Sequence, residues 1–313
     1  QLYLKYLSNP ENIPESWKEF FDGLGEDQKI VQKEILGPSW SPKSKNNLSS
    51  NIIEKFSVGL SYIEKDKVLK MLQGNYGSKS MLESGLFINA KTGYMDRFRN
   101  RLMFPIYSHL NKIIGFAGRV INDQEKIAKY MNSPETPIYN KSRVLYGLHL
   151  SKNEIANQKA AIVVEGYFDL IQLYQADIKN VVAVSGTAFT DEHAISISKL
   201  CKTIYIAYDG DQAGKTAAIR AGYTILKNNL NVKIISPPNK LDPDDWIQQK
   251  GPKPFKQAYK NAQDFLEFHY EIESDQINSD HDKIEFINNV LIELSNMDNE
   301  LTLEVLIKKL SEI

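Results

Sequence analysis

The chain of 313 residues holds one cysteine, Cys201, and that scarcity removes two kinds of chemistry at once. A single thiol excludes an intramolecular disulfide, and a structural zinc centre built on several thiolates has no ligands here, so no zinc is expected in these residues. Histidine is sparse too: His109, His149, His193, His269 and His281 share no common spacing and are read as surface or packing residues. Long apolar runs are missing. Stretches such as Ala160–Val164 fall far short of the roughly 20 residues that cross a bilayer, and no charged-then-apolar leader opens the sequence. The expectation is a cytoplasmic protein with no membrane partner. Net charge is nearly absent, at −1, which argues against a uniformly basic coat for nucleic acid. No internal repeat emerges.

What the sequence does have is unevenly distributed. Its length suits about two domains. Residues 91–159 carry twelve Lys and Arg against five Asp and Glu, so a basic half lies within a nearly neutral chain. Residues 1–36 read as short helices, and "GPSWSP" followed by "KSKNNLSS" reads as a breaker-rich linker. Amphipathic helical pieces are expected between Asn51 and Gly85, and "RLMFPIYSHLNKIIGFAGRVI" reads as a hairpin turning around His109 to Lys112. From residue 160 the pattern becomes regular. The runs "AAIVVEG", "VVAVSG", "TIYIAYDG" and "VKIISPP" alternate with helical stretches at 169–175, 191–200 and 212–230, which predicts a small parallel sheet with helices on both faces. A helical tail follows, with apolar spacing at Phe265, Leu266 and Phe268 and again at Ile284, Ile287, Val290 and Leu291.

Parallel sheets place ligand sites at the carboxyl ends of their strands. Three of the four runs end in acid: Glu165 with Asp169 one helical turn later, Asp209 with Asp211, and Asp242 with Asp244 and Asp245. The stretch "DGDQAGKT" resembles a phosphate-binding loop, but such a loop needs four residues between its first glycine and Gly-Lys-Thr, and here three intervene. Two carboxylates in that turn would repel polyphosphate unless a divalent cation lay between them. An Asp-x-Asp turn suits an oxygen-liganded cation such as Mg²⁺. The alternative reading makes these acids helix caps and turn formers, Asp211 capping the helix from Gln212 and Asp242-Pro243-Asp244 forming a turn.

At this point "VVEGYFDLI", "AVSGTAFT", "YDGDQAGKTAAIRA" and "LDPDDWIQQKG" resemble the successive motifs of a Toprim domain, the metal-binding fold of bacterial primases, topoisomerases and some nucleases. "YMDRFRNRLMFPI", "IIGFAGRVI" and "KYMNSPETPIYNKSRVLYGL" are similar to the amino-terminal subdomain of the bacterial DnaG-type primase, which other Toprim enzymes lack. The resemblance runs from about Asn51 to the end, with small departures at Ala117 and Thr216. It implies an α/β protein: a basic, mixed α+β subdomain at 51–159, a Toprim parallel sheet flanked by helices at 160–252, and a helical subdomain at 253–313. A Toprim nuclease and a receiver-like module are the competing classes.

The implied reaction is RNA primer synthesis from NTPs on single-stranded DNA during replication. Glu165, Asp209 and Asp211 are the expected catalytic residues. Asp169, Asp242 and Asp244 join them as ligands of Mg²⁺, with Mn²⁺ able to substitute, and Glu165 stands as either ligand or general base. Gly210 and Gly214 are read as letting the metal turn pass tightly into its helix. In the basic half Arg97, Arg99 and Arg101 alternate, so a strand would present all three on one face toward template phosphates. Arg119, Lys129 and Lys141 join them through the resemblance, with Asn132, Ser133 and Tyr146 as polar or stacking contacts. The resemblance further implies a monomer of the bacterial nucleoid or replisome. A replicative helicase and a single-strand binding protein are expected as partners of the full-length family, whose zinc and helicase-binding modules are not recognisable here. Residues 1–45 stand apart: "YLKYLSNPENIPESWKEFFDGLGED" and "ILGPSWSP" look like the amino-terminal arm of the thiamine-dependent 2-oxoglutarate dehydrogenase subunit. They read as a fusion, natural or artefactual, joined through a linker at 46–50, with a primase-specific extension as the alternative.

Overall fold

The computed structural model describes residues 48–90, 93–121, 128–238, 241–274, 277–297 and 299–312. The arm predicted at 1–45 and the start of the linker at 46–50 lie outside the described residues. The chain divides into two units, Gln1–Asn51 and Ile52–Ile313, and the elements that follow belong to the second, which α1 (Ser50–Lys55) enters. Among the described residues no helix is long and apolar enough to cross a membrane.

The first half is built from short pieces: β1 (Gly59–Leu60), α2 (Lys67–Leu72), α3 (Ser78–Glu83), a hairpin of β2 (Phe87–Ala90) and β3 (Gly93–Asp96), then β4 (Arg101–Tyr107), β5 (Ile113–Val120) and β6 (Tyr130–Asn132). β1, β4, β5 and β6 form an antiparallel sheet in the order β1-β4-β5-β6. The expected hairpin is β4–β5, in register from Arg101↔Val120 to Tyr107↔Ile113. At its tip the Ser108 N–H donates to Lys112 O at 2.8 Å, and Asn111 takes a left-handed φ of 59°. Asparagine accepts that conformation more readily than most side chains. Phe104 and Ile106 of β4 are buried.

After α4 (Leu148–Gln158) the regular alternation begins: β7 (Ala160–Val164), α5 (Tyr167–Gln175), β8 (Val181–Ala183), α6 (Asp191–Ser198), β9 (Thr203–Ile206), α7 (Gln212–Lys227) and β10 (Asn231–Ile234). All four strands are parallel, in the order β10-β9-β7-β8. Every residue of β7 is buried, as expected of a strand covered by helices on both faces. The chain runs outward from β7 to β8, then crosses back to β9, so the order reverses between β7 and β9. Such reversals open a crevice at the carboxyl end of the sheet. The β8 edge is closed by Tyr146 and Ala183, which exchange backbone hydrogen bonds of 2.9 and 3.1 Å. The other edge is closed by a short antiparallel strand, β11 (Gln263–Asp264), which the sequence reading did not anticipate.

Beyond β10 come α8 (Pro243–Lys250), α9 (Pro252–Lys260), α10 (Phe265–Glu273), α11 (Asp280–Leu294) and α12 (Glu300–Glu312). Phe265 and Phe268 of α10, Phe286, Val290 and Leu294 of α11, and Leu306 and Leu310 of α12 share one apolar core with Val163, Ile204 and Ile206 of the sheet. α10 lies so close to α7 that a Cβ on Gly222 would meet the Phe265 ring at 2.1 Å. The tail therefore completes the sheet's own core.

The antiparallel sheet is tied to α5 through aromatic rings. Phe104 stacks on Tyr167 at 5.2 Å and meets Phe168 edge-on at 5.4 Å, while Tyr130 stacks on Tyr167 at 5.9 Å. Such pairs add about 0.5–1.5 kcal/mol each beyond the area they bury. This packing sets β5 and β6 near the carboxyl ends of β7 and β9.

Candidate active site

Glu165 follows β7 and its Oε1 accepts the Asp209 N–H at 3.2 Å, bridging the strand ends across the β7/β9 reversal. Asp169, in the first turn of α5, is 7% exposed. Its Oδ2 accepts the Gly166 N–H at 2.8 Å and its Oδ1 the Asp244 N–H at 3.2 Å, so one carboxylate joins the starts of α5 and α8. A Cβ on Gly166 would stand 2.7 Å from Asp169 Oδ2, so the glycine makes this return possible. Asp211 caps α7 by accepting from Gly214 N at 2.8 Å, and Asp242 caps α8 by accepting from Asp245 N at 2.6 Å. The two loops meet where Gly210 N–H donates to Leu241 O at 3.0 Å. Asp244 accepts from the Gln248 side chain, a helper the sequence reading missed although Gln248 lies one turn along α8.

The capping alternative is thus correct for Asp211 and Asp242 as local structure. It leaves their cluster intact, because each cap uses one oxygen of a carboxylate that has two. The expected role of Gly214 also holds: an added Cβ would stand 2.2 Å from Asp209 O.

Crowding shows in the acid strengths. Burial first, then the charges of Glu165, Asp242 and Asp211, push Asp209 up to about 7, against the relief given by Lys129. Burial raises Asp244 to about 6, with Asp242 and Asp245 adding to it while Gln248 and Arg119 oppose it. Burial lifts Asp169 well above the carboxylate range, reinforced by Asp242 and Asp209, and it raises Glu165 and Asp242 as well. The donor set is all carboxylate, which fits a hard divalent cation. Its members are gathered without being closed: among the described residues, no three Asp, Glu, His or Cys stand in an arrangement that holds a metal ion.

The basic sheet supplies two residues to this end of the molecule. Lys129 is exposed beside Asp209 and Asp242, and its charge favours the ionised form of both. Arg119 lies over the Phe168 ring at 5.6 Å and acts likewise on Asp244.

Other expected contacts are corrected. Arg97, Arg99 and Arg101 do not share a strand face, because Arg97 to Asn100 form the bend between β3 and β4, with Asn100 at φ 51°. Arg101 is 3% exposed, and its guanidinium donates to Gly118 O at 3.2 Å and Ala128 O at 3.0 Å, holding β4 against the stretch before β6. Arg97 donates from Nε to Asn132 O at 3.1 Å, and Arg99 alone of the three is exposed. Ser133 is buried and accepts the Phe116 N–H at 3.0 Å. Tyr146, 2% exposed, packs against Phe56 and Tyr167, so its ring offers no stacking surface. Asn132 joins the two sheets, donating to Ser185 O at 2.8 Å and accepting from the Tyr167 hydroxyl at 3.0 Å. Lys141 sits on a loop tied to α6, its carbonyl 3.0 Å from His193 Nε2, and His193 is a buried packing residue. The Thr190-x-x-His193 capping pattern was the sequence signal for that anchor, and it passed unread.

Residues 43–152 match the family described as DNA primase catalytic core, N-terminal domain, and residues 162–247 match the Toprim-like family. Residues 1–28 match the 2-oxoglutarate dehydrogenase N-terminus, on the segment where that resemblance was read. A DNA primase of Listeria monocytogenes is 34% identical over 278 residues, 85% of this chain and 43% of the relative. The chain thus spans less than half the length of the curated relatives it matches. Among solved structures, a DNA primase domain from Pseudomonas aeruginosa superposes with a TM-score of 0.78 at 34% identity, covering 85% of each chain. A DnaG primase catalytic domain bound to single-stranded DNA gives 0.76 at 29% identity, covering 91% of this chain and 90% of that one. With an acid cluster at the strand reversal of a Toprim sheet and the primase-type basic sheet beside it, the chain belongs to the family of DnaG-type DNA primases, a family that uses a divalent metal.

Proposed function

We propose that this chain is a primer-synthesising catalytic core, joining NTPs into short RNA on a single-stranded DNA template. The observation that carries the reading is the acid cluster at the β7/β9 reversal with Lys129 and Arg119 on its flank. The solved relative that holds single-stranded DNA supports the choice of template. Asp209, Asp211, Asp242 and Asp244 would hold Mg²⁺, with Asp169 behind them and Mn²⁺ able to replace it. When bound, the cation neutralises charge that builds on the transferring phosphoryl group and on the entering and leaving oxygens. Glu165 either joins the ligands or accepts the proton of the attacking 3′-hydroxyl. Its buried setting raises its basicity toward the second role. Lys129 and Arg119 orient phosphates at the site, and Arg99 and Lys141 extend the template path. The same reading makes the core a monomer working with a replicative helicase and a single-strand binding protein in the bacterial nucleoid.

The test supplies labelled NTPs, Mg²⁺ and a single-stranded DNA template to the full chain. New RNA of template-directed sequence supports the proposal. Shortened template without RNA would assign the site to a nuclease instead.

A further inference from the structure

Glu165 and Tyr208 are neighbours across the strand reversal. The β7–β9 ladder pairs Val163 with Ile206, and the Ala207 N–H continues it by donating to Val163 O at 2.9 Å. Side chains on one face of a sheet recur every second residue. Val163 and Ile206 both enter the core on the α6–α7 side, and so does Tyr208. Glu165, in the bend that ends β7, has its carboxylate on the backbone N–H of Asp209, the residue after Tyr208.

Tyr208 is 5% exposed, and its hydroxyl is buried without any hydrogen-bond partner. An unsatisfied buried hydroxyl is costly, and native cores rarely keep one without a use. Burial, and after it the Glu165 charge, raises the phenol pKa, so the group stays a donor. Among the described residues, the Glu165 carboxylate accepts the 3.2 Å bond from Asp209 N–H. We propose that Tyr208 is a positioning residue for Glu165, its hydroxyl donating to the Glu165 carboxylate when the cluster is engaged and fixing that carboxylate's direction. A phenylalanine there would fill the core equally well but could not direct the acid. The inference rests on the primer-synthesis reading only in so far as Glu165 acts in that reaction.

The experiment compares the full chain with Tyr208→Phe, Glu165→Gln and the double variant, using two probes: NTP incorporation on an oligo-dT template, and the rise in Tm on adding Mn²⁺ alone. Tyr208→Phe removes only an unpartnered hydroxyl, so its Tm without metal should equal or exceed the parental value. We expect kcat to fall about tenfold, the scale of a mispositioned acid–base group, with KM for the NTP within twofold. The loss should be absent or much reduced in the Glu165→Gln background, the signature of two residues acting together. Equal effects in both backgrounds by both probes, or no effect by either, overturn the inference. If the parental chain makes no RNA but its Mn²⁺ response couples residues 165 and 208, the primer-synthesis reading fails and the positioning role stands. If RNA is made and the two residues act independently, the reverse holds.

Discussion

The parallel sheet collects its acids at one end, whereas the antiparallel sheet spreads its cations over strand, bend and interior. Parallel strands joined by helices all finish on the same side, so a carboxylate at each finish meets the others whatever else the chain does. In an antiparallel meander successive strands point opposite ways. A cation's position there depends on local pairing, and two arginines two residues apart have different fates: Arg99 is exposed and Arg101 is sealed beneath backbone carbonyls. Charge sign and strand order therefore predict where the side chains gather in the first region and fail to do so in the second.

The sharpest way to break this comparison is to remove one acid. Asp209→Asn should lower nucleotide addition by about 100-fold or more, in line with losing a principal electrostatic stabiliser. Its Tm without divalent cations should not fall, because the substitution relieves repulsion from Glu165, Asp242 and Asp211. A variant that polymerises near the parental rate with Mg²⁺ would falsify the assignment of Asp209.

The same contrast explains what was legible in the sequence. The parallel strands were readable because β7 and β8 are unbroken apolar runs buried on both faces, while β9 and β10 bury every second residue. The acids at their ends were readable because topology converges them. The row of Arg97, Arg99 and Arg101 was misread because alternation implies a shared face only where the backbone stays extended, and the bend at Asn100 ends that condition. Ser133 and Tyr146 looked polar enough to meet a ligand, but their surroundings come from distant segments, Phe116 for one and Phe56 with Tyr167 for the other. In α11 the buried positions are Phe286, Val290 and Leu294, while Ile284, included in the predicted stripe, is exposed. A four-residue spacing selected the face, and hydrophobicity alone did not distinguish it from the neighbouring stripe.

Arg101 offers the next largest effect, on stability. Arg101→Gln leaves the buried Gly118 carbonyl and the part-buried Ala128 carbonyl without their donor. Each orphaned buried acceptor costs roughly 1–3 kcal/mol. Chemical denaturation should show the midpoint falling at unchanged m-value. An unaltered midpoint accompanied by weaker DNA binding would return Arg101 to the template path.

The acid cluster also gives stability a pH dependence of known sign. Asp209 and Asp244, raised to about 7 and about 6 from the ordinary 3.8, keep protons in the folded state that the unfolded chain releases near pH 4. The folded protein therefore binds more protons between roughly pH 4 and 7, and its stability falls as pH rises through that window. Both groups are partly solvated, which reduces the effect to a few degrees in Tm. Thermal melts in chelator should be highest near pH 5 and lower at pH 8, with Mg²⁺ or Mn²⁺ recovering the loss at pH 8. A flat profile in chelator would show that the carboxylates do not crowd one another.

Arg99 carries the smallest effect and the cleanest contrast with its neighbour two residues on. It is exposed on the bend before β4. Arg99→Gln should leave Tm unchanged while weakening single-stranded DNA binding only a few-fold. A phosphate contact carries no base information, so the loss should be the same for every template sequence. Removing one such contact should also reduce the slope of log affinity against log salt by about 0.7, the value for a single strand. Titrations of two unrelated oligonucleotides over a salt series measure both quantities at once. A loss confined to one sequence, or a salt slope that does not change, would place Arg99 off the phosphate track and leave Lys129 and Arg119 as the cations that connect the antiparallel sheet to the acids.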